Sequence, residues 1–413
     1  MKNKRYLFFG LLCLLLLKSC ASITEYPETR KVSQIDSLHG IEVEDPYRWL
    51  EDFTSEEVGT WVELQNDLSQ KYLTKNQYRK RIKENLESIW VSNSKSIPQI
   101  RGGHIFYFFN EGSWQQSKFM TQACEGCNPE VLIDPNTFSE DGTVSLSSVS
   151  ISPNGKFAAY SLSDGGSDWK TWKILEIETK KTLDDLLEWT KFSSASWEPD
   201  NSGFYYSKFP EPKKEALSEI NKNPQLYFHR VGSSQKTDTL IYERPDQPNW
   251  SWSIQVSEDG LYQILSIGEG TDDSNRLYIK FKGGDTFLPI VDKLVATYSF
   301  LGSEDNHLWF YTNLNSPNGK IVKLIINNET SYKWKNVIEE KKYSISGINL
   351  INNKFVVTYL IDTQSYVKFF NLDGTFISSL NLQGEGTLSG FNGKKKDRFT
   401  YFSFTNYITP TKI

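Results

Sequence analysis

The chain has 413 residues, of which 38% are hydrophobic and 23% charged, and its formal net charge is −5. That composition is globular, and the length suits one large all-β domain with a smaller appendage, or two to three average domains. No basic face able to neutralise phosphates is visible, which excludes a nucleic-acid-binding role.

The first element is a targeting segment. Met1, Lys2, Asn3, Lys4 and Arg5 form a basic start, and Tyr6 to Leu17 is a 12-residue run that is apolar but for Gly10. A membrane span needs about 20 apolar residues, so this run suits the core of a signal peptide. It ends in Leu17-Lys18-Ser19-Cys20, which resembles a bacterial lipobox, although Lys18 replaces the usual small residue. Residues 1–19 are therefore read as a lipoprotein-type signal, with a plain secretory signal as the alternative. Cys20 would be the lipidated first residue of the mature protein. Cleavage removes four positive charges and leaves a net charge of −9. The expectation is an acidic body held to the bacterial cell envelope by lipid alone, facing the periplasm or the exterior.

Residues 20–92 read as a helical arm. Asp45 precedes Pro46 as an N-cap precedes proline at the first helical position. Trp49, Leu50 and Phe53 cluster. Trp61, Leu64, Leu68 and Tyr72 recur at spacings of three and four, as do Ile82, Leu86 and Ile89, which marks one face of a helix in each case.

From residue 93 the texture changes. Seven similar stretches begin at residues 100, 151, 197, 256, 302, 351 and 391. Each opens with a turn rich in Gly, Asn, Asp or Lys and continues as an aromatic or β-branched strand, as in ISPNGKFAAYSLS and WEPDNSGFYYSKF. The starts lie 40 to 59 residues apart, and a second strand usually follows, as in WKILEIET and RLYIKFKG. This periodicity is that of propeller blades, small sheets that cover their faces by stacking in a ring. The fold class is therefore all-β, a seven-bladed β-propeller over residues 93–413 with an N-terminal helical arm. A β-sandwich is the alternative. The aromatic content, 14% of the chain, agrees with a strand-rich body. The last blade is incomplete, since only Thr411, Lys412 and Ile413 follow FTYFSFTNYITP.

Four cysteines are present. Cys13 falls in the signal and Cys20 is the anchor candidate. Cys124 and Cys127 form an isolated C-x-x-C. A zinc site needs four ligands and a thioredoxin-like motif needs a βαβ context, so a local disulfide in an oxidising compartment is the simplest reading.

Several separated motifs carry a family resemblance that covers nearly the whole mature chain. VEDPYRWLED (43–52) opens it, and FYFFNEGSWQQSKFM (106–120) looks like a first blade. The DPN, SEDG, SPNGK, AYSLS and GSDW elements of residues 131–172 occur in family order and spacing, and residues 382–413 look like the end of the family's propeller. The chain resembles the propeller portion of the prolyl oligopeptidase family of serine peptidases. The resemblance implies a propeller that caps an α/β-hydrolase domain, admits short proline-containing peptides and excludes folded proteins. Cleavage in the family falls on the carboxyl side of proline, and the N-terminal arm packs on the peptidase domain.

The chemistry of such an enzyme requires an activated serine, in this fold within G-x-S-x-G. No such pentapeptide occurs: GGSDW (165–169) lacks the closing glycine and GTLSG (386–390) has the wrong spacing. The histidines are His39, His104, His229 and His307, none near a serine in a strand-turn-helix context. No catalytic residue is assigned, and the triad is expected to belong to a hydrolase domain outside this sequence. Asp184-Asp185 and Asp272-Asp273 read as solvated loop pairs. A glycosidase needs two opposed carboxylates, which sequence does not reveal. Neither a P-loop nor a G-x-G-x-x-G motif is present, and no cofactor or metal is expected. The expected partners are a hydrolase domain and short peptides. The alternative is a stand-alone peptide- or protein-binding propeller lipoprotein, and a degenerate gene product would share the same sequence chemistry.

Overall fold

The computed structural model describes residues 26–212, 220–328, 331–382 and 384–413. The signal segment and Cys20 lie outside the described residues. The chain divides into two compact units, Met1–Val91 and Ser92–Ile413.

The first unit contains a hairpin of Ile35–Leu38 with Ile41–Glu44, a short 3-10 turn at Arg48–Glu51, and two helices, α1 (Glu56–Thr74) and α2 (Arg79–Trp90). Asp45 does not cap a helix. Its carboxylate instead accepts from Arg48 Nε at 2.6 Å, and Arg48 also reaches Asp36. The cap of α1 is Ser55, whose Oγ accepts from the Val58 amide at 3.2 Å, which satisfies one of the free donors at a helix start. Arg30 forks onto Glu57 at 2.6 and 2.9 Å and lies over the Trp49 ring. Among the described residues, α1 buries only Val58 and α2 buries none. The predicted stripe of Ile82, Leu86 and Ile89 stays exposed, as does Trp90.

The second unit is a seven-bladed propeller of antiparallel sheets. Blades 1 to 7 occupy residues 94–133, 145–191, 196–242, 250–291, 298–338, 344–379 and 387–412. Blades 2 to 6 each run through four strands in chain order. Blade 1 has five, because two short strands, Ser94–Lys95 and Gln99–Arg101, both pair with His104–Asn110. Blade 7 has three among the described residues. Each of the seven sequence repeats coincides with the connection between a blade's innermost strand and the next, a tight turn in blades 1 to 6 and a longer loop in blade 7. First strands of neighbouring blades contact one another, as Ser196–Trp197 does with both Ser145–Ile151 and Trp250–Val256. They therefore border the central bore.

The core lies between the blades. Phe106, Phe119 and Ile133 of blade 1 join Ile151, Tyr160 and Leu175 of blade 2. Comparable two-blade clusters fill each junction on to blades 6 and 7, where Ile351, Val356 and Val367 meet Leu388 and Phe391. Alternation produces this directly: Trp250, Trp252 and Ile254 are buried while Ser251, Ser253 and Gln255 between them are exposed. The junction of blades 2 and 3 adds a buried ionic lock. His229 of blade 3 binds Asp185 of blade 2 through Nε2 and Asp238 through Nδ1, each at 2.8 Å. Asp185 also accepts from the Gly232 amide, and Asp238 from the Tyr206 hydroxyl. Asp185 is thus not the solvated loop acid that its pairing with Asp184 suggests. Burial pulls the imidazolium down, but the two carboxylates outweigh it and raise the His229 pKa to about 9.

Candidate functional site

Seven first-to-second-strand turns gather at one end of the bore. They pack shoulder to shoulder. Gly102 sits so close to the Asn154 carbonyl that a Cβ would lie 2.0 Å from its oxygen, at a φ of +55°; only glycine fits there. The Asn154 amide donates to Asn201 Oδ1 at 2.9 Å, and Gly260 lies against Pro199. Blade 7 departs from the others. Its turn is a long loop, Phe391 to Tyr401, instead of a tight hairpin. Phe391 anchors it, buried at a φ of +60° and stacked on Phe402 at 5.0 Å. A bulky residue with positive φ is an outlier that its surroundings must hold in place.

The loop then crosses the bore. The Lys395 amide donates to Glu258 Oε1 of blade 4 at 3.1 Å, and its carbonyl accepts from the Asn353 amide of blade 6 at 3.0 Å. Lys395 Nζ reaches Glu304 Oε1 of blade 5 at 2.7 Å and the Ser303 carbonyl at 3.3 Å. One residue of blade 7 is thus tied to three other blades. A cavity of about 360 Å³ lies on one side of the loop, lined in part by Ser96, Gln99, Arg101, Asn349 and Asn392. A second, of about 160 Å³, lies between the loop and blades 4, 5 and 6.

The larger cavity marks the one junction without a two-blade apolar cluster among the described residues. On the blade 1 side, Ile105, Tyr107 and Met120 form a cluster of their own, and Ile97 lies against Gly390 of blade 7. The rest is polar. Burial lowers the pKa of Arg101 and of Lys394, and the Arg101 charge lowers Lys394 further. Along the bore, exposed Ser251, Ser253, Gln255, Ser346, Thr387 and Ser389 give the first strands a small, hydroxyl-rich border. This arrangement can screen and hold an extended polar chain. Among the described residues it holds no serine hydroxyl hydrogen-bonded to a histidine.

The sequence candidates are scattered. His229 is in the ionic lock, His39 and His104 are exposed in or beside turns, and His307 is partly buried at the head of a blade 5 strand. GGSDW forms the turn between the second and third strands of blade 2, and GTLSG runs along the first strand of blade 7. Cys124 and Cys127 are bonded to each other across a turn of blade 1, with Cα atoms 5.2 Å apart. Among the described residues no group of His, Cys, Asp or Glu is placed to hold a metal ion, and no helix is long and apolar enough to cross a membrane. Arg101, Glu258, Lys394 and Lys395 went unread in the sequence. The run Lys394-Lys395-Lys396 inside a strand-linking turn was their one signal.

Comparison with known proteins follows the same lines. A family profile described as the prolyl oligopeptidase N-terminal β-propeller domain matches residues 26–413. Prolyl endopeptidase of Elizabethkingia meningoseptica is 38% identical over 395 residues, covering 95% of this chain and 56% of that protein. A dual-function macrocyclase-peptidase of Galerina marginata is 26% identical and covers 94% of this chain and 57% of that protein. The solved structure of prolyl oligopeptidase B from Galerina marginata, bound to a 35-residue hydrolysis and macrocyclisation substrate, matches with a TM-score of 0.85 at 25% identity. It covers 95% of this chain and 58% of that one. The chain spans a little over half the length of these relatives.

Proposed function

Because the chain belongs to the prolyl oligopeptidase family, as its N-terminal β-propeller, we propose that it gates substrate for a serine endopeptidase that cleaves short peptides after proline. The observation that carries this reading is the bore, bordered by small hydroxyls and crossed at one end by the Lys395 loop. A folded protein does not enter such a passage, whereas an extended peptide does. None of the four histidines hydrogen-bonds a serine hydroxyl among the described residues, so the nucleophile and base come from an α/β-hydrolase domain. The apolar face of α2, with Ile82, Leu86, Ile89 and Trp90 exposed, supports a partner of that kind. In the same reading residues 1–19 are a lipoprotein signal and lipid on Cys20 holds the protein to the cell envelope, which loss of acyl labelling in Cys20→Ala tests.

The functional test is complementation. The chain is co-expressed with the catalytic half of the Elizabethkingia meningoseptica relative and assayed on a chromogenic peptide with proline before the scissile bond. Co-purification and cleavage that requires both chains are expected. Failure of the halves to associate, or cleavage indifferent to the propeller, refutes the gating role.

A further inference from the structure

The Cys124–Cys127 pair has no part in the gating reading. The two sulfurs are bonded within the connection between Lys118–Gln122 and Glu130–Ile133, the outer strands of blade 1. They enclose only Glu125 and Gly126, and closing so short a loop adds least to overall stability. The bond does not join the strands either, because their pairing ends at Thr121 and Glu130 and both cysteines lie inside the loop. Opening it therefore leaves the propeller folded. Its leverage is local. The Cys127 amide donates to the Cys124 carbonyl at 3.1 Å, Gln122 Nε2 donates to the Cys127 carbonyl at 2.6 Å, and Gly126 turns the chain at a φ of +81°. Cys124, Glu125 and Gly126 are exposed and Cys127 is half-buried, so these hydrogen bonds compete with water once the sulfurs part.

We propose that this disulfide is a thiol-exchange site, opened by a dithiol reductant, and that its state sets how firmly the start of the outer strand of blade 1 is held. Exposed disulfides are the ones that exchange, whereas shielded ones resist reduction. A thiolate of the dithiol attacks Cys124 Sγ, the more accessible sulfur. The bond to Cys127 breaks, its electron pair stays on Cys127 Sγ, and that thiolate takes up a proton. The reductant's second thiolate then attacks its own half of the mixed disulfide and releases Cys124 as a thiol. Two electrons and two protons pass to the chain, and the reductant leaves as a disulfide. A disulfide-bearing partner reverses the steps. The outer strand, Glu130–Ile133, is exposed at Glu130 and Val131 and buried at Leu132 and Ile133, which enter the core between blades 1 and 2. Glu130 also holds Lys180 of blade 2 at 2.7 Å. The exposed start loosens on opening, and the buried end stays in place.

The test uses the full chain. It is treated with dithiothreitol under native conditions, then returned to oxidised glutathione, and each state is alkylated and digested so that Cys124 and Cys127 are read apart from Cys13 and Cys20. Both cysteines are expected to label after reduction and to be protected again after oxidation, with circular dichroism and tryptophan fluorescence unchanged. Amide exchange over residues 122–131 should speed by roughly tenfold or more on reduction, with Leu132 and Ile133 unmoved. Single-cysteine variants give the order of attack. Cys124 in Cys127→Ser should react with an aromatic disulfide reagent several-fold faster than Cys127 in Cys124→Ser, again read peptide by peptide. A bond that opens only when the propeller unfolds, that does not re-form, or that opens without faster amide exchange overturns the inference. Equal or reversed reaction rates overturn it as well, since exchange would then not begin at the exposed sulfur.

Discussion

The junction of blades 2 and 3 and the junction of blades 7 and 1 solve the same problem in opposite ways. Both must join two radial sheets. The first does so with Trp172, Leu187, Trp197, Phe204 and Tyr206, all buried, and seals the cluster with His229 between two aspartates. The second has an apolar cluster on one side only, a cavity lined in part by polar residues, and two partly buried cations, Arg101 and Lys394, beside Glu258 and Asp397. Apolar burial at about 25 cal/mol per Å² dominates blade stacking, so the blade 7–1 seam is the place where this ring yields. It is also where the bore is crossed. Stability and access are thus assigned to different junctions.

The largest expected effect lies at the lock. His229→Ala removes the cation and leaves Asp185 and Asp238 facing each other in the core. Breaking a buried pair by removing one partner costs about 3–5 kcal/mol, which a shift in the urea midpoint followed by tryptophan fluorescence would report. A loss no greater than that of a surface substitution would show that the apolar cluster alone holds blades 2 and 3.

Alkaline pH should act on the two junctions with opposite sign. The His229 pKa is raised from 6.5 to about 9, so its contribution is complete below pH 6.5 and is lost as pH rises toward 9. The loss is on the order of 3 kcal/mol. Lys394 is shifted the other way, below 10.5. The unfolded chain holds that proton more tightly, so the seam gains stability as pH rises through the lowered value. In His229→Ala the decline between pH 6.5 and 9 should disappear. A decline that persists in the variant would place its cause outside the lock.

A pair of truncations sharpens the contrast with less drastic changes. Leu187, fully buried between blades 2 and 3, should lose about 2–5 kcal/mol on replacement by alanine. Ile97, only partly buried at the seam, should lose under about 2 kcal/mol, because fewer atoms surround it and water already enters the space. Equal losses in parallel urea titrations would mean the seam is packed as tightly as the other junctions.

The sequence is legible where the physics is local. All seven repeats mark the turn and second strand of a blade, because Gly and Asn turns and aromatic alternation write themselves into neighbouring residues. First strands such as Ser145–Ile151 and Ser344–Ile351 were harder to see, since serines facing the bore dilute their apolar pattern. Short outer strands such as Phe376–Ser379, exposed throughout, carry no burial signal at all. Asp45 illustrates a local rule overridden: Arg48, which also pairs with Asp36, claims its carboxylate before a helix does. The bore cations were unreadable for a different reason. Arg101 and Lys394 come together only when the ring closes on itself, 293 residues apart in the chain, and the partners of Lys395 belong to blades 4, 5 and 6. His229 shows the same limit, with Asp185 lying 44 residues away.

The seam's looseness should be visible without any substitution. Amide exchange reports local opening, and strands with few buried apolar contacts open at lower free energy than the global transition. Ser94–Lys95, Gln99–Arg101 and Thr387–Gly390 are the first strands of the two blades at the seam, and each is short. Phe157–Ser163 and Gly203–Lys208 sit beside the lock and are buried along most of their length. The seam strands should exchange at least roughly tenfold faster, equivalent to about 1.4 kcal/mol of easier opening. Uniform protection around the ring would instead mean that the seam is as rigid as the other junctions, and that access to the bore does not come from it.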